Sequence, residues 1–147
     1  MATIINLLNT TQIAALTTAQ IAALTTEDWR TFSTDQIVAL TTAQVPAMGT
    51  RAVSVLTSDQ LNALESADLR ALSTAAIRAL SSAQLAALGA DQLDKLTTAQ
   101  TVALSSAQIA SLGSADLAAL STTQMAALST AQVAALTTAQ LTSLDAA

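Results

Sequence analysis

An unbroken period of eight residues runs from about residue 8 to the C-terminus, and residues 17–24, TTAQIAAL, show it in its simplest form. Positions 8, 16, 24 and every eighth onward to 144 are Leu at sixteen of eighteen places, with Phe32 and Met48 as the exceptions. Three residues earlier stands a second apolar column, Ile5, Ile13, Ile21, Trp29, Ile37 and so on to Leu141, in which only Thr101 is polar. The residue before that column is mostly Gln, with Asp28, Asp68 and Asp116 as acidic variants and Ile4, Ala52 and Ala76 as apolar ones. The residue after each Leu-column position is Thr, Ser, Gly, Asn or Asp, except Glu65, and the residues between the two apolar columns are mostly Ala.

Few structures carry such a period. In one continuous helix, eight residues at about 100° each displace the apolar stripe by roughly 80° per repeat, so it spirals around the axis and faces no single core. In a β-solenoid, residues three apart on a strand point to opposite faces, so Ile21 and Leu24 could not share one core, and Ala-Ala between them fills a strand poorly. Residues three apart do share a face of a helix. The period therefore predicts an all-α solenoid of about 17 one-helix octapeptide repeats, with a β-solenoid as the alternative.

The corners carry helix-start chemistry. Thr17 followed three residues later by Gln20 reads as a capping box, in which the Thr oxygen takes the N3 amide and Gln reaches back to the cap amide. The pattern recurs as Thr41 with Gln44, Ser81 with Gln84, Ser105 with Gln108, Ser129 with Gln132 and Thr137 with Gln140. Asp28, Asp68 and Asp116 put negative charge at helix starts, where it is favoured. Gly49, Gly89 and Gly113 sit at junctions where Gly can end one helix and begin the next. Pro46 conflicts with the pattern, because mid-helix it removes a backbone hydrogen bond; that repeat is shorter, or is capped from Thr42, or bends.

A helix of about seven residues does not stand alone in water, where roughly 12–15 are needed, so the repeats must stack. Three helices per coil give a triangular solenoid of 24 residues per turn; four give a square one of 32. Opposite charges 24 apart (Glu27 with Arg51, Arg70 with Asp94) and the spacing of Gly89 and Gly113 favour three. Six such coils would form a rod roughly 50–60 Å long at 8–10 Å per layer. Residues 1–12 depart from the pattern and read as an irregular N-terminal cap; residues 13–147 read as one continuous octad solenoid.

Composition narrows function. With 147 residues, no Cys, no His and no Tyr, the chain lacks thiolates, the commonest general base and the commonest metal ligand, so neither enzyme nor cofactor is expected. Net charge is −5 and the basic residues are only Arg30, Arg51, Arg70, Arg78 and Lys95, which argues against nucleic acid as a partner. Thr, Ser and Gln interrupt every apolar run well short of about 18 residues, so no membrane insertion is expected. The N-terminus, MATIINLLNTTQ, has neither the basic n-region nor the apolar h-region of a cleaved export signal.

The TTAQIAAL and STAQVAAL units resemble the low-complexity octapeptide arrays of large repetitive bacterial proteins, and that resemblance implies a surface or secreted setting within a larger chain. The cap, Gln and aliphatic segment is also similar to the first helix of TAL-effector repeats. The base-reading loops of those repeats are missing here, so no functional residue carries over.

Trp29 and Phe32 fall on the two core columns of one repeat and form either a bulky core layer, offset by the small Val45 and Val53, or an aromatic anchor for a ligand or interface. Glu27 and Asp28 read as helix-start acids rather than a catalytic pair, and Asp91 with Asp94 lacks the further oxygens a Ca²⁺ site needs. Thr101 reads as a tolerated core defect bonded to backbone. The first Ser/Thr column caps helices and the second is solvated. The chain is thus expected to be a structural spacer, scaffold or self-assembling rod that associates end to end, because its near-consensus C-terminus has no charged capping repeat. The alternative is a binding module that presents a regular hydroxyl surface to ice, glycan or peptide. Far-UV circular dichroism checks the fold class: a helical double minimum is expected, and a β-type spectrum would contradict it.

Overall fold

The computed structural model describes residues 4–145, and within them each octad forms one short helical element. Among the described residues there are sixteen α-helices and two 3-10 helices, with no strand, so the β-solenoid alternative finds no support. Of the N-terminal stretch 1–12, residues 1–3 lie outside the described part; Ile5–Leu7 is a 3-10 helix with Ile5 buried, and Asn9 caps the helix Thr10–Ala14.

Each element packs on the element three along. Helix Thr74–Ala79 lies between Gly49–Val53 and Thr98–Ala103, and Ser82–Ala87 lies between Ser58–Asn62 and Ser106–Ser111. Three octads therefore make one coil of a triangular solenoid. Two extended residues turn each ordinary corner: Leu24 at φ −63°, ψ 137° and Thr25 at φ −81°, ψ 166°. Capping boxes close the new helices as the sequence predicts. Thr17 N–H donates to Gln20 Oε1 at 2.8 Å while Gln20 N–H donates to Thr17 Oγ1 at 3.2 Å. The same reciprocal pair forms at Ser81, Ser105, Ser129 and Thr137.

The two apolar columns fill the triangle. Ile13, Ile21, Ile37, Leu61, Ile77 and Ile109 are fully buried, and Leu-column residues such as Leu56, Leu80 and Leu104 nearly so. Each such side chain contributes roughly 1.5–3 kcal/mol relative to exposure. Thr101 is fully buried, and its hydroxyl donates to the Thr97 carbonyl at 3.1 Å, as a polar residue in a core column requires.

A second use of the Gln column ties coil to coil. The carboxamide oxygen is occupied by the cap, which aims the nitrogen at the coil before. Gln100 Nε2 donates to the carbonyls of Leu69 and Leu72, both at 2.8 Å, and Gln140 Nε2 to those of Ile109 and Leu112 at 3.0 and 2.9 Å. The acceptors lie 31 and 28 residues back and belong to the two apolar columns. Gln36, Gln44, Gln60, Gln84, Gln108, Gln124 and Gln132 repeat this geometry. Each is a buried polar group with both ends satisfied, so removing the amide leaves the Leu-column carbonyl of the previous coil without a donor, while in most bridges the other carbonyl keeps its backbone N–H, at a cost of about 1–3 kcal/mol.

Departures from the consensus show what the consensus does. Around Pro46 the repeat shortens to the 3-10 helix Val45–Ala47. Gln44 N–H then donates to the Thr41 carbonyl at 2.8 Å instead of the hydroxyl, so the Thr41 capping box predicted from the sequence is only half formed, although Gln44 still reaches the previous coil. Gly49 and Gly89 turn their corners at φ +66° and +68°, a conformation that favours Gly, whereas Gly113 at φ −63°, ψ 155° is an ordinary extended cap lacking a side chain. The Gly89 corner offers no cap N–H to Gln92; its Oε1 is buried without a partner and its Nε2 bonds lengthen to 3.3 Å. Asp68 is 3% exposed, has no amide to offer the coil before, and leaves Oδ1 buried without a partner.

Asp68→Gln should therefore raise stability by about 1–3 kcal/mol in urea unfolding, by supplying the missing donor. Gln100→Glu keeps an acceptor for the cap but loses the inter-coil donor, and should cost about 1–3 kcal/mol. Gln12→Glu, in the first coil with no coil before it, should stay within about 0.5 kcal/mol of the parent in the same titration.

Candidate functional site

Several charged side chains in the irregular middle of the chain are engaged locally. Asp28 Oδ2 accepts from the Thr25 N–H at 2.8 Å and from the Thr25 hydroxyl at 2.6 Å, which is helix capping. Glu27 pairs with Arg30 at 3.5 Å on the exposed side of the same helix. Lys95 Nζ donates to Asp94 Oδ2 at 2.6 Å; that hydrogen bond and the carboxylate charge hold the Lys95 pKa above its ordinary value. Among the described residues no group of three or more His, Cys, Asp or Glu gathers to hold a metal ion.

Trp29 and Phe32 lie in the core, 1% and 4% exposed, with rings stacked at 4.7 Å and 16°. Their backbone carbonyls accept from Gln60 Nε2 at 3.2 and 2.7 Å. Neither ring offers a face to solvent, so stacking on a ligand would require the coil to open. Of the hydroxyl columns, the first has its oxygens engaged in caps, except at Thr41. The second is mostly exposed, although Ser106 Oγ donates across coils to the Ala131 carbonyl at 3.3 Å.

An open cleft of about 690 Å³ lies at the Gly49 corner, lined by Leu24, Thr25, Met48, Gly49 and Arg51 among others. It falls beside Ala52, where the column carries no Gln to reach the coil before. Arg51 is the one charged group on its wall, so it lacks the convergent polar groups that orient a substrate.

The two ends of the solenoid differ from each other in a systematic way. In the first coil, Ile5, Ile13 and Ile21 are sealed by the next coil, while Leu8, Leu16 and Leu24 are only half-buried. These leucines line a hollow of about 760 Å³ that also touches Ile4 and Gln20. In the last coil the Ile column is the open one: Val133 and Leu141 are each 47% exposed and Met125 is partly so. The Leu column is half-buried at both ends, since Leu128, Leu136 and Leu144 are partly buried as well, whereas the Ile column is open only in the last coil. Gln12 and Gln20 share the open Leu end and are exposed, whereas Gln124, Gln132 and Gln140 are 2% exposed.

The sequence pattern shows the apolar C-terminal face, whereas the inter-coil role of Gln emerges only from the structure. A signal for it exists. Glu caps a helix at N3 as well as Gln does, and suits the helix dipole better, yet the column contains no Glu at all. A column with Gln at twelve of eighteen places, and an acid only at Asp28, Asp68 and Asp116, points to use of the N–H as well as the oxygen.

Comparison with known proteins agrees with this architecture. The ALTTAQ repeat matches three segments, residues 31–66, 61–98 and 109–146. Its name stands verbatim in the chain at residues 15–20, 39–44 and 135–140. No curated protein and no solved structure matches the chain. With most of its length covered by those segments, the chain belongs to the ALTTAQ repeat family.

Proposed function

We propose that the chain is a structural, non-enzymatic solenoid that serves as a spacer or scaffold and lengthens by end-to-end self-association. What supports this reading is the regular stack itself, capped helices bridged coil to coil by the Gln column, with the apolar side chains of Val133 and Leu141 exposed in the last described coil. In this reading residues 1–12 form the N-terminal cap, presenting the hollow, and residues 13–147 form the single continuous rod. Net charge of −5 with five dispersed basic residues argues against a nucleic-acid partner. Among the described residues no helix is long and apolar enough to cross a membrane. The octapeptide arrays that the repeat resembles suggest a surface or secreted setting.

A second reading draws on one edge of the triangle. Thr26, Thr50, Thr74, Thr98 and Thr122 stand at equivalent places in successive coils, and all are exposed. Such a row suits a binding module for ice or glycan; thermal hysteresis and a glycan array both returning blank would remove it. For the favoured reading, sedimentation velocity over a wide concentration range is expected to show mass rising with concentration, and electron microscopy to show thin rods of constant width. A single monomer species at the highest attainable concentration would contradict self-association.

A further inference from the structure

The three corners of a coil are not equivalent. We infer that the solenoid is a one-sided hinge, which bends by parting its coils along two lines of corners while the third line stays stapled. The inference stands on the fold alone, whether or not copies associate.

Each bridge joins a corner to the same corner one coil earlier. Gln60 lies just after the corner capped by Thr57, and it bonds the carbonyl of Phe32, just before the corner capped by Ser33. The corners therefore fall into three lines, each advancing by one coil at a time.

The first line, capped by Asn9, Ser33, Thr57, Ser81, Ser105 and Ser129, carries no exception. All six corners hold complete capping boxes. Gln36, Gln60, Gln84, Gln108 and Gln132 all reach back along it, with bonds of 2.7 or 2.8 Å to the carbonyls of Leu8, Phe32, Leu56, Leu80 and Leu104.

The second line fails over its middle. Glu65 and Gly113 give their helices no side-chain cap, and Gly89 turns at φ +68°. The bridging positions there are Asp68 and Asp116, which have no N–H to give, and Gln92, whose bonds stretch to 3.3 Å. The third line fails at Gly49 and Ser73, where Ala52 and Ala76 replace the Gln. The open cleft beside Gly49 lies on this line. From residue 45 to residue 96 the full-strength bridges are those of Gln60 and Gln84, and both belong to the first line.

Apolar burial has no direction, so it resists parting about equally on every side of the triangle. The amides make the difference. A bridged corner gives up directed bonds when it opens, and an unbridged corner gives up none. With the first line held and the other two free, coils in this stretch part about the first line as an axis. The rod then bends in one plane, with the first line on its concave side. Beyond it, Gln100 and Gln124 restore the third line and the bend stops.

Backbone amide exchange on the unaltered chain tests the strength of the corners. The N–H groups of Leu61, Leu69, Ile77 and Leu85 donate to the carbonyls of Thr57, Glu65, Ser73 and Ser81 at 2.9–3.1 Å, and all four side chains are fully buried. They differ in the residue just before them: Gln60 and Gln84 make bridges, whereas Asp68 and Ala76 make none. Protection factors at Leu61 and Leu85 should exceed those at Leu69 and Ile77 about tenfold. Asp68→Gln should raise Leu69 to the level of Leu61 and leave Ile77 behind. Direction is read with paired spin labels in dilute solution, since the chain has no Cys. Thr34→Cys with Ser82→Cys spans two coil steps on the first line, and Thr26→Cys with Thr74→Cys spans two on the third; all four residues are exposed. Electron–electron double resonance should give a narrow distance distribution for the first pair and one spread towards longer distances for the second. Equal protection at the four amides, or distributions of equal width for the two pairs, would overturn the inference.

Discussion

The neutral carboxamide of the Gln column holds this architecture together, because it is the one group that bonds in two directions at once. Its oxygen closes the capping box of its own helix and its nitrogen reaches two carbonyls of the coil before. Helices of five or six residues are too short to persist on their own. Burial of the Ile and Leu columns supplies the driving force, but burial is non-directional and would tolerate slippage between coils. The amide supplies direction. It can be satisfied only when its helix is capped and the previous coil is present in register, so local and long-range structure form together.

That coupling bears on most of the exceptions; Asp116, at an interior Gln position of the near-consensus stretch, is not explained by it. Asp28 occupies a Gln position in the first coil, where no earlier carbonyls wait for a donor, and it serves its cap with bonds of 2.6 and 2.8 Å. Asp68 occupies the same position in the interior and leaves an oxygen buried and unpartnered. Ala52, Asp68 and Ala76 all lie in the irregular stretch 27–96, together with the Pro46 turn and the two left-handed Gly corners. Stability in a solenoid is close to a sum over neighbouring units, so this stretch is where the rod opens most readily, while the near-consensus residues 97–147 form its stiffer portion.

Much of the fold is legible in the sequence, for identifiable reasons. The apolar columns three apart require helices, and the Ser or Thr with Gln spacing places their starts. The three-fold coil is also correct, but the pairs that favoured it are not its cause. Glu27 bonds Arg30 rather than Arg51, Asp94 bonds Lys95 rather than Arg70, and Gly89 and Gly113 have opposite signs of φ. Three helices close because two extended residues at each ordinary corner turn the chain enough to bring the fourth helix back over the first. Corner geometry of that kind depends on backbone angles that composition does not reveal. The inter-coil bonds are hidden for a different reason: the capping role explains Gln so well that only the absence of Glu hints at a second partner.

Side-chain amide exchange measured by NMR on monomeric protein tests the central claim most directly. Ten Gln side chains with a coil before them should show Nε2 protons that are dispersed and slow to exchange with solvent, with Gln92 the weakest because its bonds are the longest. Gln12 and Gln20 should exchange like free carboxamides. Uniformly fast exchange across all twelve would show that the coils are held by apolar packing alone, and would contradict the account.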